Sequence, residues 1–175
     1  MAQKSNRAAA KMQMGWVYIT VGLLVVIAIL AWISWQKANT ITTCQPQQLQ
    51  LTAGQQNGAA GTIYQHMSFK NIGNQACAIG GFPTAFLYGT DGYALGRAAA
   101  ANSNPAPMAL TINPGESAYT VLGYPQAGNF PPGNCSGAKS TALKLYVPGA
   151  STALETPLEV AWCPGFSSTA MQAGS

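Results

Sequence analysis

The sequence predicts an all-β protein: an Ig-like antiparallel β-sandwich of about seven to eight strands with two disulfides, preceded by one N-terminal transmembrane α-helix. Three observations support this prediction. One long uncharged apolar run lies near the N-terminus, and the rest of the chain consists of short apolar segments separated by turn residues. The chain also contains four cysteines. Its 175 residues are enough for one ordinary domain and an additional segment.

The N-terminal segment, residues 1–14, is basic, and we expect it to be cytoplasmic. Lys4, Arg7 and Lys11 precede the apolar run, Lys37 follows it, and no acidic residue lies among them. From residue 38 onward the charges balance: Lys70, Arg97, Lys139 and Lys144 against Asp91, Glu116, Glu155 and Glu159. Because this part of the chain is neutral, it lacks the basic patch that nucleic acids require, and we expect no nucleic-acid partner.

Residues 15–36 are predicted to form a membrane-spanning helix. The run contains no charged residue, and about 20 apolar residues are enough to cross the hydrocarbon core of a bilayer. Aromatic residues that favour membrane interfaces mark its two ends: Trp16, Tyr18, Trp32 and Trp35. Three cations precede the run and one follows it, so the positive-inside rule places the N-terminus in the cytoplasm and the remaining chain outside.

Three other kinds of N-terminal segment fit this run less well. A cleaved signal peptide has a shorter apolar region followed by small residues, whereas Trp-Ile-Ser-Trp-Gln-Lys ends this one. A lipoprotein needs small residues directly before its cysteine, but Cys44 follows Ile-Thr-Thr. A type IV pilin carries a glutamate near the fifth position after its processing glycine, where Thr20 stands. We therefore expect an uncleaved, single-pass anchor in the cell membrane.

Three segments follow the predicted anchor. Residues 37–43 make a short spacer, residues 44–165 an extracytoplasmic β-sandwich domain, and residues 166–175 a small polar tail that we expect to be mobile. The predicted strands of the domain cover residues 49–53, 63–69, 85–88, 108–112, 117–123, 143–147 and 158–162.

Residues that favour tight turns lie between these predicted strands. Asp91-Gly92 is typical of a tight hairpin turn, and Pro114-Gly115 of a type II turn, in which glycine accepts a positive φ. Residues 97–107 are predicted to form a long loop with at most one helical turn, because their prolines interrupt a helix.

The cysteines Cys44, Cys77, Cys135 and Cys163 favour two disulfides outside the membrane. No two of them are closely spaced and the chain has one histidine, which argues against a zinc site. Among three pairings we favour Cys44–Cys77 and Cys135–Cys163, which join neighbours in sequence and close loops of about 30 residues each. We expect no metal and no cofactor.

An ordered set of residues runs through the domain from Cys44 to Pro164. It comprises Cys44, Gly61-x-x-Tyr64, Phe69-x-Asn71, Cys77-x-x-Gly80-x-Phe82-Pro83, Asp91-Gly92, Leu110, Asn113-Pro114-Gly115-x-x-Ala118, Cys135, Leu145-x-Val147-Pro148 and Cys163. This order resembles an actinobacterial extracytoplasmic family known as domain of unknown function 4232. The resemblance implies an Ig-like sandwich with two disulfides, often lipid-anchored or secreted, and brings no catalytic residues.

The residues themselves also predict no enzyme activity. His66 lies in a strand where Met67 and Phe69 face inward, so we expect a strand surface residue rather than a general base or copper ligand. Glu155 and Glu159 do not form an evident glycosidase pair. The chain contains no Gly-x-Ser-x-Gly motif.

Two functions fit these features. The first is an accessory subunit held in the lipid bilayer beside other membrane-protein subunits, since a weakly charged surface is cheap to desolvate on docking. The alternative is a module that binds an envelope glycan or another small extracellular ligand, with the loop aromatics Tyr93, Tyr124 and Phe130 as candidate stacking residues.

Overall fold

The structure is a computed structural model that describes the backbone of residues 3–38 and 41–174. In the first of these segments it describes the side chains of Tyr18 and residues 20–36. Residues 1–2 of the predicted cytoplasmic segment, residues 39–40 of the spacer and the side chain of Trp16 therefore lie outside the description. The chain divides into two compact units, Met1–Thr40 and Ile41–Ser175.

The first unit contains one helix, α1 (Gln3–Ala38). It begins well before the predicted residue 15, because the preceding residues are mainly Ala, Gln, Lys and Met, which favour helices. All the described side chains of α1 are exposed, including Leu24, Trp32 and Trp35. Within the residues that the structure describes, no helix combines the length and the apolar character that a membrane crossing needs.

The second unit is built from strands. In the described residues these are β1 (Thr42–Thr43), β2 (Leu49–Ala59), β3 (Thr62–Asn71), β4 (Cys77–Gly80), β5 (Thr84–Tyr88), β6 (Ala100–Asn102), β7 (Ala109–Ile112), β8 (Ser117–Pro125), β9 (Ala142–Tyr146), β10 (Leu154–Pro157), β11 (Ser167–Thr169) and β12 (Gln172–Ala173). A six-stranded sheet has the order β2-β3-β8-β11-β6, with β12 also paired to β8. Two three-stranded sheets have the orders β1-β4-β7 and β10-β9-β5.

One hydrophobic core joins the three sheets in a sandwich-like arrangement. Alternation along each strand supplies it: Met67 and Phe69 of β3 are fully buried, while Ser68 between them faces outward. Ile79 of β4 and Leu87 of β5 bring the other two sheets into the same cluster. The prediction of a mostly β protein with two disulfides is thus confirmed.

The predicted strands fall on observed ones, except the segment 158–162. Among the described residues, six further strands lie outside the predicted segments, and each contains only two to four residues: β1, β4, β6, β10, β11 and β12. Segments so short carry no recognisable alternation. The predicted loop at 97–107 likewise contains β6, which pairs in parallel with β11 instead of forming a helical turn.

The predicted turns form as expected. Gly92 has φ 77° and Gly115 has φ 86°, both in the left-handed region that favours glycine. At the second turn the Glu116 amide donates to the Asn113 carbonyl oxygen over 3.0 Å.

The prediction of a strand over residues 158–162 is wrong. Pro157 ends β10 and offers no backbone donor. Beyond it, serine hydroxyls bond the backbone: the Val160 amide donates to Ser140 Oγ over 3.1 Å, and the Trp162 amide donates to Ser136 Oγ over 2.8 Å. The segment is therefore fixed without a regular strand partner.

The prediction of a mobile tail over residues 166–175 is also wrong for the described residues 166–174. Phe166, Ala170 and Met171 are buried, and β11 and β12 both pair with β8. The small polar residues that suggested a loose tail bond the sheet instead, since the Val121 amide donates to Thr169 Oγ1 over 2.9 Å. The structural domain accordingly extends beyond the predicted boundary at residue 165.

Candidate functional site

Residues suited to catalysis or metal binding are dispersed over the domain. His66 is exposed on β3, as predicted. Asp91 accepts a backbone hydrogen bond within its own turn, and Glu155 pairs with Lys144 over 3.6 Å at the surface. Nowhere among the described residues do three His, Cys, Asp or Glu side chains come close enough to hold a metal ion.

Glu116 has a local structural partner. Its Oε2 accepts hydrogen bonds from the backbone amide of Asn113 at 2.9 Å and from Asn113 Nδ2 at 3.0 Å. These bonds, the backbone bond most of all, hold the pKa of Glu116 below its ordinary value because they favour the charged carboxylate. Glu116 also lines a depression of about 460 Å³ whose other described lining residues are neutral.

The cysteines are paired as predicted. Cys44 bonds to Cys77 with a Cα–Cα distance of 4.8 Å, and Cys135 bonds to Cys163 at 4.3 Å. Cys44 and Cys77 lie in the hydrophobic core. Disulfide-bonded sulfurs are not available as nucleophiles or metal ligands, so all four cysteines are structural.

The three loop aromatics predicted to stack on a ligand are not equivalent. Tyr93 is 74% exposed and Phe130 is half-buried, but Tyr124 is only 3% exposed. The hydroxyl of Tyr124 donates to Gln65 Oε1 over 2.8 Å, and burial raises its pKa. The assignment of Tyr124 to a ligand site is therefore wrong: this residue belongs to β8, whose alternation turns its ring into the core.

Another aromatic group lies on the outer surface of the six-stranded sheet. Tyr64 and His66 of β3 face outward, and the ring of Tyr119 on β8 stacks against that of His66 with centroids 5.2 Å apart. We call these three residues the aromatic face. Alternation in the sequence could have placed Tyr64 and His66 on one surface. The contact with Tyr119 depends on the register between β3 and β8, which no local pattern encodes.

One edge of the same sheet is strand β2, which contains no charged residue and no proline. β2 has one strand partner, β3, and its residues 52–59 are exposed and include neither a charged residue nor a proline. We call residues 52–59 the β2 edge. Edge strands leave backbone N–H and C=O groups without strand partners, and natural proteins usually protect them with charges or prolines. In β2 the feature that works against pairing with a further strand is a register shift with β3 between Ala53 and Gln56.

An apolar groove of about 340 Å³ lies beside β4 and β7, which belong to the three-stranded sheet β1-β4-β7. Ile79, Met108 and Pro148 line it, and none of its described lining residues is ionisable. It therefore offers no group for acid–base chemistry.

Comparisons with known proteins identify a family. No curated protein and no solved structure matches the chain. The family described as "Domain of unknown function (DUF4232)" matches residues 44–174, from the first cysteine to the residue after β12. This range includes the final strands that the sequence pattern left out. Since the match covers well over half of the chain, the chain belongs to the DUF4232 family.

Proposed function

We propose that this chain is a membrane-anchored extracytoplasmic interaction module, without catalytic activity of its own, that docks onto another subunit of a membrane protein complex. The observation that carries this proposal is the β2 edge, because it offers backbone hydrogen-bonding groups to a second protein. A strand added there would continue the six-stranded sheet beyond β2.

Helix α1 supports the anchoring part of the proposal. Its described side chains from Val21 to Ile33 are largely aliphatic and exposed around the helix. A helix that is apolar on all sides suits a lipid environment better than water. The basic residues that precede it favour a cytoplasmic N-terminus, which leaves the disulfide-bonded domain outside, where disulfides persist.

The occupant of the β2 edge is inferred to be an extended, uncharged segment of the partner protein. The exposed side chains Gln55, Gln56 and Asn57 provide amides but no counter-charge for an ionic side chain. A charged partner strand would lose hydration without gaining an ion pair. A neutral strand would gain main-chain hydrogen bonds and contacts with these amides.

Site-specific photo-crosslinking in native membranes tests this proposal. A photoreactive phenylalanine analogue replaces Gln55 in the full-length chain, and the matched control carries it at Thr111, which is exposed on the edge strand β7. We expect position 55, but not 111, to crosslink to one other membrane protein, through a segment that is uncharged at the contact.

A second experiment places a charge on the β2 edge. Asn57→Lys should suppress the crosslink from position 55, because edge lysines block strand addition, while Thr111→Lys should leave it unchanged. Crosslinks only between two copies of the chain, or identical products from both positions, would contradict a partner strand at the β2 edge.

A further inference from the structure

The aromatic face arises from the strict alternation of two paired strands. In β3, Gln65, Met67 and Phe69 are buried, so Tyr64 and His66 point out of the sheet. In β8, Ala118 and Thr120 are buried, so Tyr119 points outward beside them. The face thus lies on the paired strands β3 and β8 and borders the β2 edge, because Tyr64 pairs with Asn57 of β2.

Contacts within the surface hold the rings in place. The His66 and Tyr119 rings lie 5.2 Å apart with an interplanar angle of 24°. The Tyr119 hydroxyl donates to Gln172 Oε1 over 3.0 Å, and Gln172 Nε2 donates to Thr169 Oγ1 over 3.4 Å. Rings fixed in this way lose little conformational entropy when a ligand binds.

Tyr64 is positioned by a glycine on the neighbouring strand. Gly123 faces outward yet is buried, because the Tyr64 ring covers it. A Cβ at Gly123 would lie 3.3 Å from Tyr64 Cε1 and 2.9 Å from Ser167 Oγ. Because Gly123 has no side chain, the Tyr64 ring packs against the backbone of β8 at this position. Tyr64 remains 38% exposed.

The surroundings of the aromatic face are polar but almost uncharged. Ser68 and Lys70 are the next outward residues of β3, and Ser117 and Val121 flank Tyr119 on β8. Lys70 is the single charged side chain among these outward residues of the two strands. A polyanion needs several cations, so one lysine at the strand end does not suit a nucleic acid or a phosphate-rich polymer.

We propose that the aromatic face binds a neutral polysaccharide by stacking its pyranose rings on Tyr64 and on the His66–Tyr119 pair. Sugar C–H groups are weakly positive and are attracted to the negative face of an aromatic ring. The amide of Gln172 and the hydroxyl of Ser68 provide hydrogen bonds for sugar hydroxyls. Single small molecules usually occupy concave pockets, so a flat face indicates a chain of sugars instead. This inference concerns side-chain rings on the face of the sheet, whereas the docking proposal concerns backbone groups of the β2 edge; the two surfaces meet where Tyr64 pairs with Asn57.

Native affinity electrophoresis of the full-length chain in lipid nanodiscs tests the inference. The gels contain a linear β-glucan, an α-glucan or an arabinogalactan, with heparin as the polyanionic comparison. We expect at least one neutral polysaccharide, but not heparin, to retard the chain. Tyr64→Ala should weaken that binding about tenfold or more because stacking area and ring contacts are lost, while Tyr64→Phe should retain it.

The control is Met108→Ala, which removes an exposed apolar side chain, 58% accessible, that lines the groove beside β4 and β7. It should bind like the unmodified chain, because Met108 lies outside the six-stranded sheet. No retardation by any of the three neutral polysaccharides would overturn the inference. So would retardation by heparin alone, or equal losses for Tyr64→Ala and Met108→Ala.

Discussion

At the scale of single residues, the fully buried side chain of Asn71 makes three hydrogen bonds to the backbone. Its Nδ2 donates to the Gln75 carbonyl at 2.8 Å and to the Ile112 carbonyl at 3.0 Å. Its Oδ1 accepts from the Gly73 amide at 2.9 Å. Asn71 is fully buried at the end of β3, so one side chain joins this strand to the loop before Cys77 and to β7.

Replacement of Asn71 by alanine should therefore destabilise the domain strongly. Asn71→Ala would remove these three hydrogen bonds from a fully buried position, and we expect the free energy of unfolding to fall by about 2–4 kcal/mol. Urea denaturation followed by circular dichroism measures the change. The control Asn74→Ala alters an exposed residue of the same type and should change the value by less than about 0.5 kcal/mol. Equal effects of the two substitutions would refute this role of Asn71.

At the scale of elements, the segment after β10 illustrates how side chains replace strand pairing. Ser140 is fully buried, and its hydroxyl donates to the Leu158 carbonyl while it accepts from the Val160 amide. The Ser140 amide in turn donates to the Val160 carbonyl over 2.8 Å. Ser140 thus makes three hydrogen bonds to Leu158 and Val160, in a segment that has no regular strand partner.

Ser140→Ala should lower the free energy of unfolding by about 1–3 kcal/mol, because two buried backbone groups lose their hydroxyl partner. Chemical denaturation of the two variants Ser140→Ala and Ser151→Ala compares a buried serine with an exposed one. Ser151→Ala should be nearly neutral. If Ser140→Ala were neutral as well, the hydroxyl would not be what fixes the segment.

The elements also differ in how far the sequence predicts them. Strands such as β3 and β9 alternate over five or more residues, and their positions follow from that alternation. β6 and β11 pair with each other across the chain, and their stability comes from partners distant in sequence. The sequence pattern ends the predicted strand at Gly123 and leaves Tyr124 in the following loop, whereas β8 continues to Pro125. The aromatic face was missed for a related reason, since Tyr119 meets His66 only through long-range register.

At the scale of the whole molecule, the C-terminal segment closes the sandwich. β11 and β12 both pair with β8. Between these two strands, the Met171 amide donates to the Gly81 carbonyl over 2.8 Å. Met171 and Phe166 reach the same core as β3 and β9. The core thus combines strands from the beginning of the domain with residues of its C-terminal segment.

Met171→Ala should consequently lower the free energy of unfolding by about 2–5 kcal/mol, as truncations of fully buried core residues do. Met108→Ala is the matched control, since Met108 is 58% exposed and its truncation leaves no buried cavity. Guanidinium denaturation of both variants gives the comparison. Similar values for the two methionines would show that the C-terminal segment does not contribute to the core as described.

The bridge between Cys44 and Cys77 also determines how the domain bears mechanical load. Tension on the chain before Ile41 enters at β1 and passes at Cys44 directly to Cys77 in β4. The force therefore bypasses the intervening loop, whose ends are 33 residues apart in sequence and which contains β2 and β3. The hairpin with the β2 edge, Tyr64 and His66 therefore lies inside the loop that this disulfide closes, off the covalent path of the tension.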